Sequence, residues 1–385
     1  MRILLLSGSY PPVLGGVQTV THTLARHLIR RNHKVQVIAN RYPRSLPARE
    51  MLDGVPVSRL LFLTPRIDQI RRRRPDLFLA SVGVFPATLF RLNYKLANFF
   101  PDVINVHFPD TQTPFVLWLK KRFHFRLVVS LHGHEIMRWF GEGGTDLARL
   151  DDLKRLLRSA DVVTACSQFL LERVVELEKA ISNKGRVIHN GVNLCRFEDK
   201  HPYRHSRPYI LAFGRLVHKK GFDLLLDAFA QITVHNSDID LIITGDGEET
   251  SRLQAQAVEL GIHKRVKFVR WAAPETVVQL LSGCLFVVVP SRSEPFGITA
   301  LEAMAAGRPV LATNVGGLPE FVSSENNCLV EPTSEGLLDG LRQWLDHPTG
   351  LKKMGEKNRE KVAKYSWDQM VDQYMKIFTQ EEENA

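Results

Sequence analysis

Residues 285–314 read LFVVVPSRSEPFGITALEAMAAGRPVLATN. An apolar run comes first, a Pro/Gly turn follows, then a stretch with Ile298, Leu301 and Ala305 at helical spacing, a stop at Gly307, and a second apolar run. Continuous apolar runs joined through a helix indicate parallel strands buried on both faces. Glu294 falls in the turn and Glu302 inside the helix, eight positions on, so at ~1.5 Å per helical residue the two carboxylates are not expected to flank one bond. They are expected to reach different parts of one extended ligand.

The same alternation extends in both directions. RILLLSG, KVQVIA, DVINVH, RLVVSLHG and DVVTACS punctuate the first half; YILAFGR, DLIITGDG, RVKFVRW, LFVVVPS and RPVLATN punctuate the second. The fold class is therefore α/β, doubly wound, formed twice, which agrees with 385 residues being more than one core usually supports. The join should lie near residues 195–208, CRFEDKHPYRHSRP, where charge and proline interrupt the pattern. A last helical segment at about 366–380, with Trp367, Met370, Tyr374 and Phe378 near one face, could pack on either domain.

Composition excludes several classes. The start MRILLLSGSY has an apolar run too short for a secretion signal, and cysteines 166, 195, 284 and 328 show no CxxC or metal-type spacing, so a cytoplasmic location is expected. Only the last residues, EEENA, read as disordered. Charge is uneven: residues 1–186 hold 29 Lys/Arg against 15 Asp/Glu, residues 187–385 hold 22 against 26. The arginines at 71–74 precede an apolar, aromatic stretch, FLASVGVFPATLFRLNYKLANFF, suited to a peripheral contact with an anionic membrane surface. A solvated basic turn before core elements is the other reading, and both stand. Nucleic acid is disfavoured, since zinc-finger, RNP-like and basic-helix patterns are absent from the sequence.

Ligands of open α/β sheets bind beyond the carboxyl ends of strands. There the sequence places Gly15 and Gly16 before an amphipathic helix, His132 and His134 after RLVVSL, Gly214, Arg215, Lys219, Lys220 and Gly221 after YILAF, and Gly245 and Asp246 after DLIIT. Glycine lets backbone approach a ligand, and cations beside it suit a diphosphate. Each signal has a plain structural alternative: a turn glycine, a turn histidine, a basic helix start. His107, after DVINV, is similarly placed with less else in its favour. The H-x-H pair lacks a third metal ligand at recognisable spacing.

Together GGVQT, SLHGHE, HNGVN, GRLVHKKG, GDGEE and the E-x7-E block SEPFGITALEAMAAGRPVLATNVGGLPE closely resemble the retaining glycosyltransferases of family 4, from Ile3 to Trp367. The resemblance implies the GT-B fold, two Rossmann-like domains facing a central cleft: residues 1–195 on the acceptor side and 196–365 binding a nucleotide-diphosphate sugar. It implies that Arg215 and Lys220 hold the diphosphate, that Gly16 and the amides of Gly297, Ile298 and Thr299 add phosphate contacts, that Glu294 grips the donor sugar, that Glu302 bonds the ribose, and that His132 touches the transferred sugar. Gly214, Gly245, Asp246, Arg270 and Phe296 join the donor-binding set, with Arg270 and Trp271 near the base. No cofactor or divalent metal is implied. Asp238-Ile-Asp240 looks like a DxD metal motif but precedes its strand, and reads as a solvated strand entrance. The acceptor would be a sugar or a lipid-linked hydroxyl. Asn193 departs from the family's usual Asp. A GT-B sugar-nucleotide epimerase and a non-catalytic GT-B partner are the rival readings; the E-x7-E block with Arg215 and Lys220 disfavours the first, and the presence of His132, Lys220 and Glu294 the second. A dehydrogenase lacks its GxGxxG.

Overall fold

The computed structural model describes the chain except residues 14, 67–68, 70–73, 142, 144, 199–200, 235–237, 271–272, 323–324 and 381–385. The arginines at 71–73, Trp271 and the acidic tail fall outside the described residues. The chain forms two compact units, Met1–Asn190 with the segment beginning at Trp367, and Gly191–Ser366. The first passage thus comes upstream of the 195/196 join read from the sequence.

In the first unit the strands are β1 (Arg2–Ser7), β2 (Lys34–Asn40), β3 (Arg49–Leu52), β4 (Val55–Leu60), β5 (Val103–His107), β6 (Arg126–Leu131), β7 (Val162–Ala165) and β8 (Gly185–Val187). Their order is β3-β4-β2-β1-β5-β6-β7-β8, parallel apart from β3, which runs antiparallel to β4. β5 and β7 are buried throughout, as apolar runs covered on both sides must be. The edge strand β3 instead alternates exposed and half-buried residues, and its hairpin turns at Asp53 and Gly54, both at positive φ. β3, β4 and β8 are strands beyond those expected. The first two carry a period-2 pattern rather than a continuous run, and β8 is three residues long.

After β1 the helix Gly16–Arg30 buries Val20, Leu24, Ala25 and Leu28, with Gly16 itself as first helical residue. The C-terminal helix Trp367–Thr379 belongs to this unit. It buries Met370, Val371, Tyr374, Ile377 and Phe378. Arg31 meets Asp372 at 2.5 Å and His27 meets Asp368 at 3.0 Å, while Arg126 Nε donates to the carbonyl of Ile377 at 2.8 Å.

The second unit has β9 (Tyr209–Phe213), β10 (Asp240–Thr244), β11 (Val266–Val269), β12 (Val287–Val289), β13 (Val310–Thr313) and β14 (Cys328–Val330), all parallel, in the order β11-β10-β9-β12-β13-β14. The stretch 285–314 is the β12–helix–β13 crossover, with Val287, Val288 and Val289 beside Val310, Leu311 and Ala312 and the helix at Ile298–Ala305. From the start of that stretch Phe286 meets Trp344 edge-on at 5.0 Å. Burying each such large side chain contributes ~1.5–3 kcal/mol.

The Asp238-Ile-Asp240 reading needs correction. Asp240 opens β10 but is buried rather than solvated, because two arginines and a histidine converge on it: Arg265 Nε at 2.7 Å, His205 Nε2 at 2.8 Å and Arg207 at 3.5 Å. Burial works to raise its pKa, and the bonds from Arg265 and His205 outweigh it, leaving the carboxyl below its ordinary value. Its carboxylate is committed at the amino end of the sheet.

Candidate functional site

In the second unit the carboxyl ends of β9 and β10 are pressed together. Gly214 and Gly245 have φ of 143° and 145°, and a Cβ on Gly245 would stand 1.8 Å from the Gly214 carbonyl oxygen. Only glycine fits there. A Cβ on Gly214 would touch the Thr299 methyl at 3.7 Å, so this strand end lies against the first turn of the helix Ile298–Ala305. That turn is entered through Gly297 at φ 110°, and no side chain caps it. Uncapped first-turn amides with the positive end of the helix dipole favour an anion.

Past β9 the chain forms a tight turn at His218–Lys220. Arg292, from the loop after β12, clamps it: its backbone N–H donates to the Lys219 carbonyl at 2.8 Å, its guanidinium donates to the His218 carbonyl at 3.0 Å, and the same group takes Asp223 in a two-pronged pair at 2.7 Å. Lys220 Nζ is thereby brought onto Glu294 Oε2, in hydrogen-bonding contact, and Ser291 Oγ donates to the same oxygen at 3.4 Å. Glu294 is itself buried. Its backbone is gripped by the glycines downstream: Gly317 N–H donates to the Glu294 carbonyl at 3.0 Å, and a Cβ on Gly316 would overlap that oxygen. The Arg215 side chain is exposed and has no hydrogen-bond or ion-pair partner among the described residues.

Glu302 has a different cation. Arg196 Nη1 stands 3.2 Å from Glu302 Oε1 and Nη2 donates to the Pro274 carbonyl at 2.6 Å. Burial raises the Glu302 pKa and Arg196 opposes the rise. The two carboxylates of E-x7-E therefore face separate partners. Asp246 pairs with Arg270 at 3.1 Å and accepts from Thr250 Oγ1 at 3.0 Å and the Gly247 amide at 2.9 Å; the Thr250 bond, then the Arg270 bond, holds its pKa down. Phe296 is buried against Phe321, ring centroids 5.0 Å apart.

In the first unit the site residues are neutral. His132, just past β6, has Nε2 3.0 Å from Nδ1 of His107 at the end of β5, the rings 19° from parallel. Burial pushes His132 down to about 4 and drives His107 well below the ordinary histidine value, the second ring adding to the effect on His107. Both rings are uncharged at neutral pH, so one N–H is shared between them. His132 Nδ1 and His107 Nε2 are buried without a hydrogen-bond partner among the described residues. The His132 backbone N–H donates to the carboxyl of Glu135, which burial pushes up to about 7. Below the pair, Asn105 Nδ2 and Thr164 Oγ1 donate to Ser130 Oγ at 2.8 and 2.9 Å, and Tyr374 OH reaches the same oxygen at 3.1 Å. The Tyr374 ring lies 6.0 Å from His107. His134 points elsewhere, stacked on Phe108 at 6.4 Å. Among the described residues no group of three or more His, Cys, Asp or Glu is placed to hold a metal.

Sequence reasoning missed Arg196 and Arg292, whose roles depend on partners 106 and 69 positions away. It also undervalued His107. The available signal was two neighbouring parallel strands, one ending in His107 and the other followed at once by His132.

Residues 14–196 match Glycosyltransferase Family 4, and residues 196–361 match Glycosyl transferases group 1. An uncharacterized glycosyltransferase of Methanocaldococcus jannaschii is 31% identical over 98% of both chains. A GDP-mannose-dependent monoacylated alpha-(1-6)-phosphatidylinositol monomannoside mannosyltransferase of Corynebacterium glutamicum is 30% identical over 66% of this chain and 70% of its own. Among solved structures, sucrose-phosphate synthase from Thermosynechococcus elongatus superposes with a TM-score of 0.82 at 23% identity, over the whole of both chains, a likeness of fold.

Proposed function

The chain belongs to the family 4 glycosyltransferases of GT-B fold, and on that premise we propose that it is a retaining, metal-independent hexosyltransferase. It moves a sugar from a nucleotide diphosphate to a hydroxyl acceptor, lipid-linked or part of an envelope glycan precursor, at the cytoplasmic side of a membrane. The observation that carries this reading is the Lys220–Glu294 contact, assembled from two strand ends beside the uncapped helix at Ile298 and the unpartnered Arg215.

In this reading Arg215 and Lys220 neutralise the diphosphate, joined by the amides of Gly297, Ile298 and Thr299 and by Gly16. Glu294 fixes the sugar, Glu302 the ribose, and Arg270 with Asp246 borders the base. The bond from the anomeric carbon to the phosphate oxygen breaks, and the acceptor oxygen bonds to that carbon on the same face. The acceptor's proton passes to the departing phosphate. Fixed cations and helix amides stabilise the leaving charge without reorganising, which is where such sites gain most. A neutral His132 contributes a hydrogen bond to the sugar, not a proton. The Corynebacterium relative's use of GDP-mannose and a phosphatidylinositol mannoside, as its name states, supports a lipid-borne acceptor.

The test is a thermal-shift panel of UDP-, GDP- and ADP-sugars with and without EDTA. A donor that binds the native state raises the apparent stability, and one class should do so undiminished by EDTA. Stabilisation by none of them, or only with added divalent cation, contradicts the proposal.

A further inference from the structure

The helix Pro75–Phe99 is built inside out over much of its length. Leu79, Val82, Phe90 and Tyr94 are 70%, 49%, 72% and 63% exposed, while Ser81 and Thr88 are buried. The buried hydroxyls are satisfied: Ser81 Oγ donates to the Phe78 carbonyl at 2.7 Å and Thr88 Oγ1 to the Leu61 carbonyl at 2.9 Å. At 3.6 residues per turn, Leu79, Val82, Pro86, Phe90 and Tyr94 share a stripe about 120° wide and ~22 Å long. Leu92 and Leu96 occupy the opposite, buried face, and Lys95 Nζ donates to Ser58 Oγ at 2.9 Å. That packing holds the helix on its domain. Although it is long and apolar enough to cross a membrane, crossing would strip these contacts away.

Charge selects the partner. The helix's one acid, Asp76, is taken by Arg74 through both oxygens at 3.0 and 2.9 Å, and Arg91 lies exposed on the flank of the stripe. Three more arginines stand immediately upstream in the sequence, in a half whose Lys/Arg outnumber Asp/Glu 29 to 15. An apolar, aromatic stripe with an exposed arginine, Arg91, on its flank, in a half of the chain this basic, matches an interface with acyl chains on one level and anionic headgroups on the next. A protein partner would have to supply both a long apolar groove and acids at its end.

We infer that the outward face of the helix Pro75–Phe99 docks on an anionic lipid surface, with Leu79, Val82, Phe90 and Tyr94 entering the headgroup–acyl boundary. The inference rests on the lipid-borne acceptor only for its purpose. Vesicle binding, measured with no sugar present, succeeds or fails separately from transfer.

The experiment floats the full chain with vesicles of phosphatidylcholine alone or with phosphatidylglycerol, at low and high salt. Binding is expected only with the anionic lipid, weakening with salt, and the double variant Leu79→Glu/Phe90→Glu should lower the bound fraction about tenfold at an unchanged melting temperature. Should that variant unfold, Phe90→Trp serves instead, its emission shifting to shorter wavelength on adding anionic vesicles. Absence of flotation with anionic lipid, binding unaffected by the double variant, or a tryptophan that does not respond would each overturn the inference. So would concentration-dependent dimerisation lost in the double variant without any vesicle response, which would make a second copy the occupant.

Discussion

The residues singled out in the two units solve opposite electrostatic problems. In the second unit the three carboxylates of the site each face a basic side chain: Glu294 faces Lys220, Glu302 faces Arg196 and Asp246 faces Arg270. In the first, His107, His132 and Glu135 are buried with their charges suppressed, the histidines pushed down and the carboxyl pushed up. Fixed cations can meet a diphosphate directly, charge against charge. Neutral groups with unused hydrogen-bonding atoms suit hydroxyls, which carry no charge to balance. The contrast sorts the candidate residues by the kind of ligand atom each can serve.

The largest expected effect probes the charged side. Lys220→Ala and Glu294→Ala should each lower kcat/KM by about 10²–10³-fold while far-UV circular dichroism stays native. Near-normal turnover in both would leave the paired ions with a structural role only. On the neutral side, His107→Phe keeps a ring in place but removes the bond to His132. It should lower kcat about tenfold with donor KM unchanged, and His107→Asn, whose amide can occupy the Nδ1 position, should restore part of it. Equal losses in the two variants would indicate packing rather than alignment of His132.

A third measurement sharpens the comparison through pH. Between about pH 4.5 and 6.5 the folded histidines hold fewer protons than the unfolded ones, so their contribution to stability rises with pH. Folded Glu135 holds a proton that the unfolded chain has lost, so its contribution falls with pH. Glu135→Gln removes the falling part, and its stability relative to wild type should increase by about 1.4 kcal/mol per pH unit across that window, read from denaturant melts. A constant difference would mean that Glu135 is ionised in the fold. The smallest effect is expected at Arg196→Ala, which leaves Lys220 and Glu294 untouched: donor KM should rise several-fold with kcat preserved, a loss of about 1 kcal/mol of binding common to ground and transition states. A fall in kcat instead would draw Arg196 into the chemistry.

How much of this was legible beforehand differs from residue to residue. Glu294 and Glu302 were separable in the sequence because a Pro/Gly turn and a 3.6-residue pattern put them on different local structures. The glycines at 214, 245 and 297 were visible as strand-end punctuation, though that a side chain at Gly245 would collide with the next strand end was not. β3 and β4 were missed because their alternating pattern in a half-exposed hairpin is weak beside long apolar runs. Asp240 was misread as solvated, since its three partners, His205, Arg207 and Arg265, come from the chain before β9 and from the turn before β11.

Local periodicity, turn residues and the order of apolar runs determined by themselves that the chain builds parallel α/β sheets twice, and which residues stand at the strand ends. These are properties of neighbours in sequence, within reach of one turn or one strand. Only the tertiary structure decided which strand ends meet: that His107 faces His132, that Arg196 takes Glu302, that Arg292 clamps the Lys220 turn, and that the last helix returns to the first unit. Those pairings depend on strand order and on desolvation by distant segments, and burial, which sets both the partners and the pKa values, is a property of the folded whole.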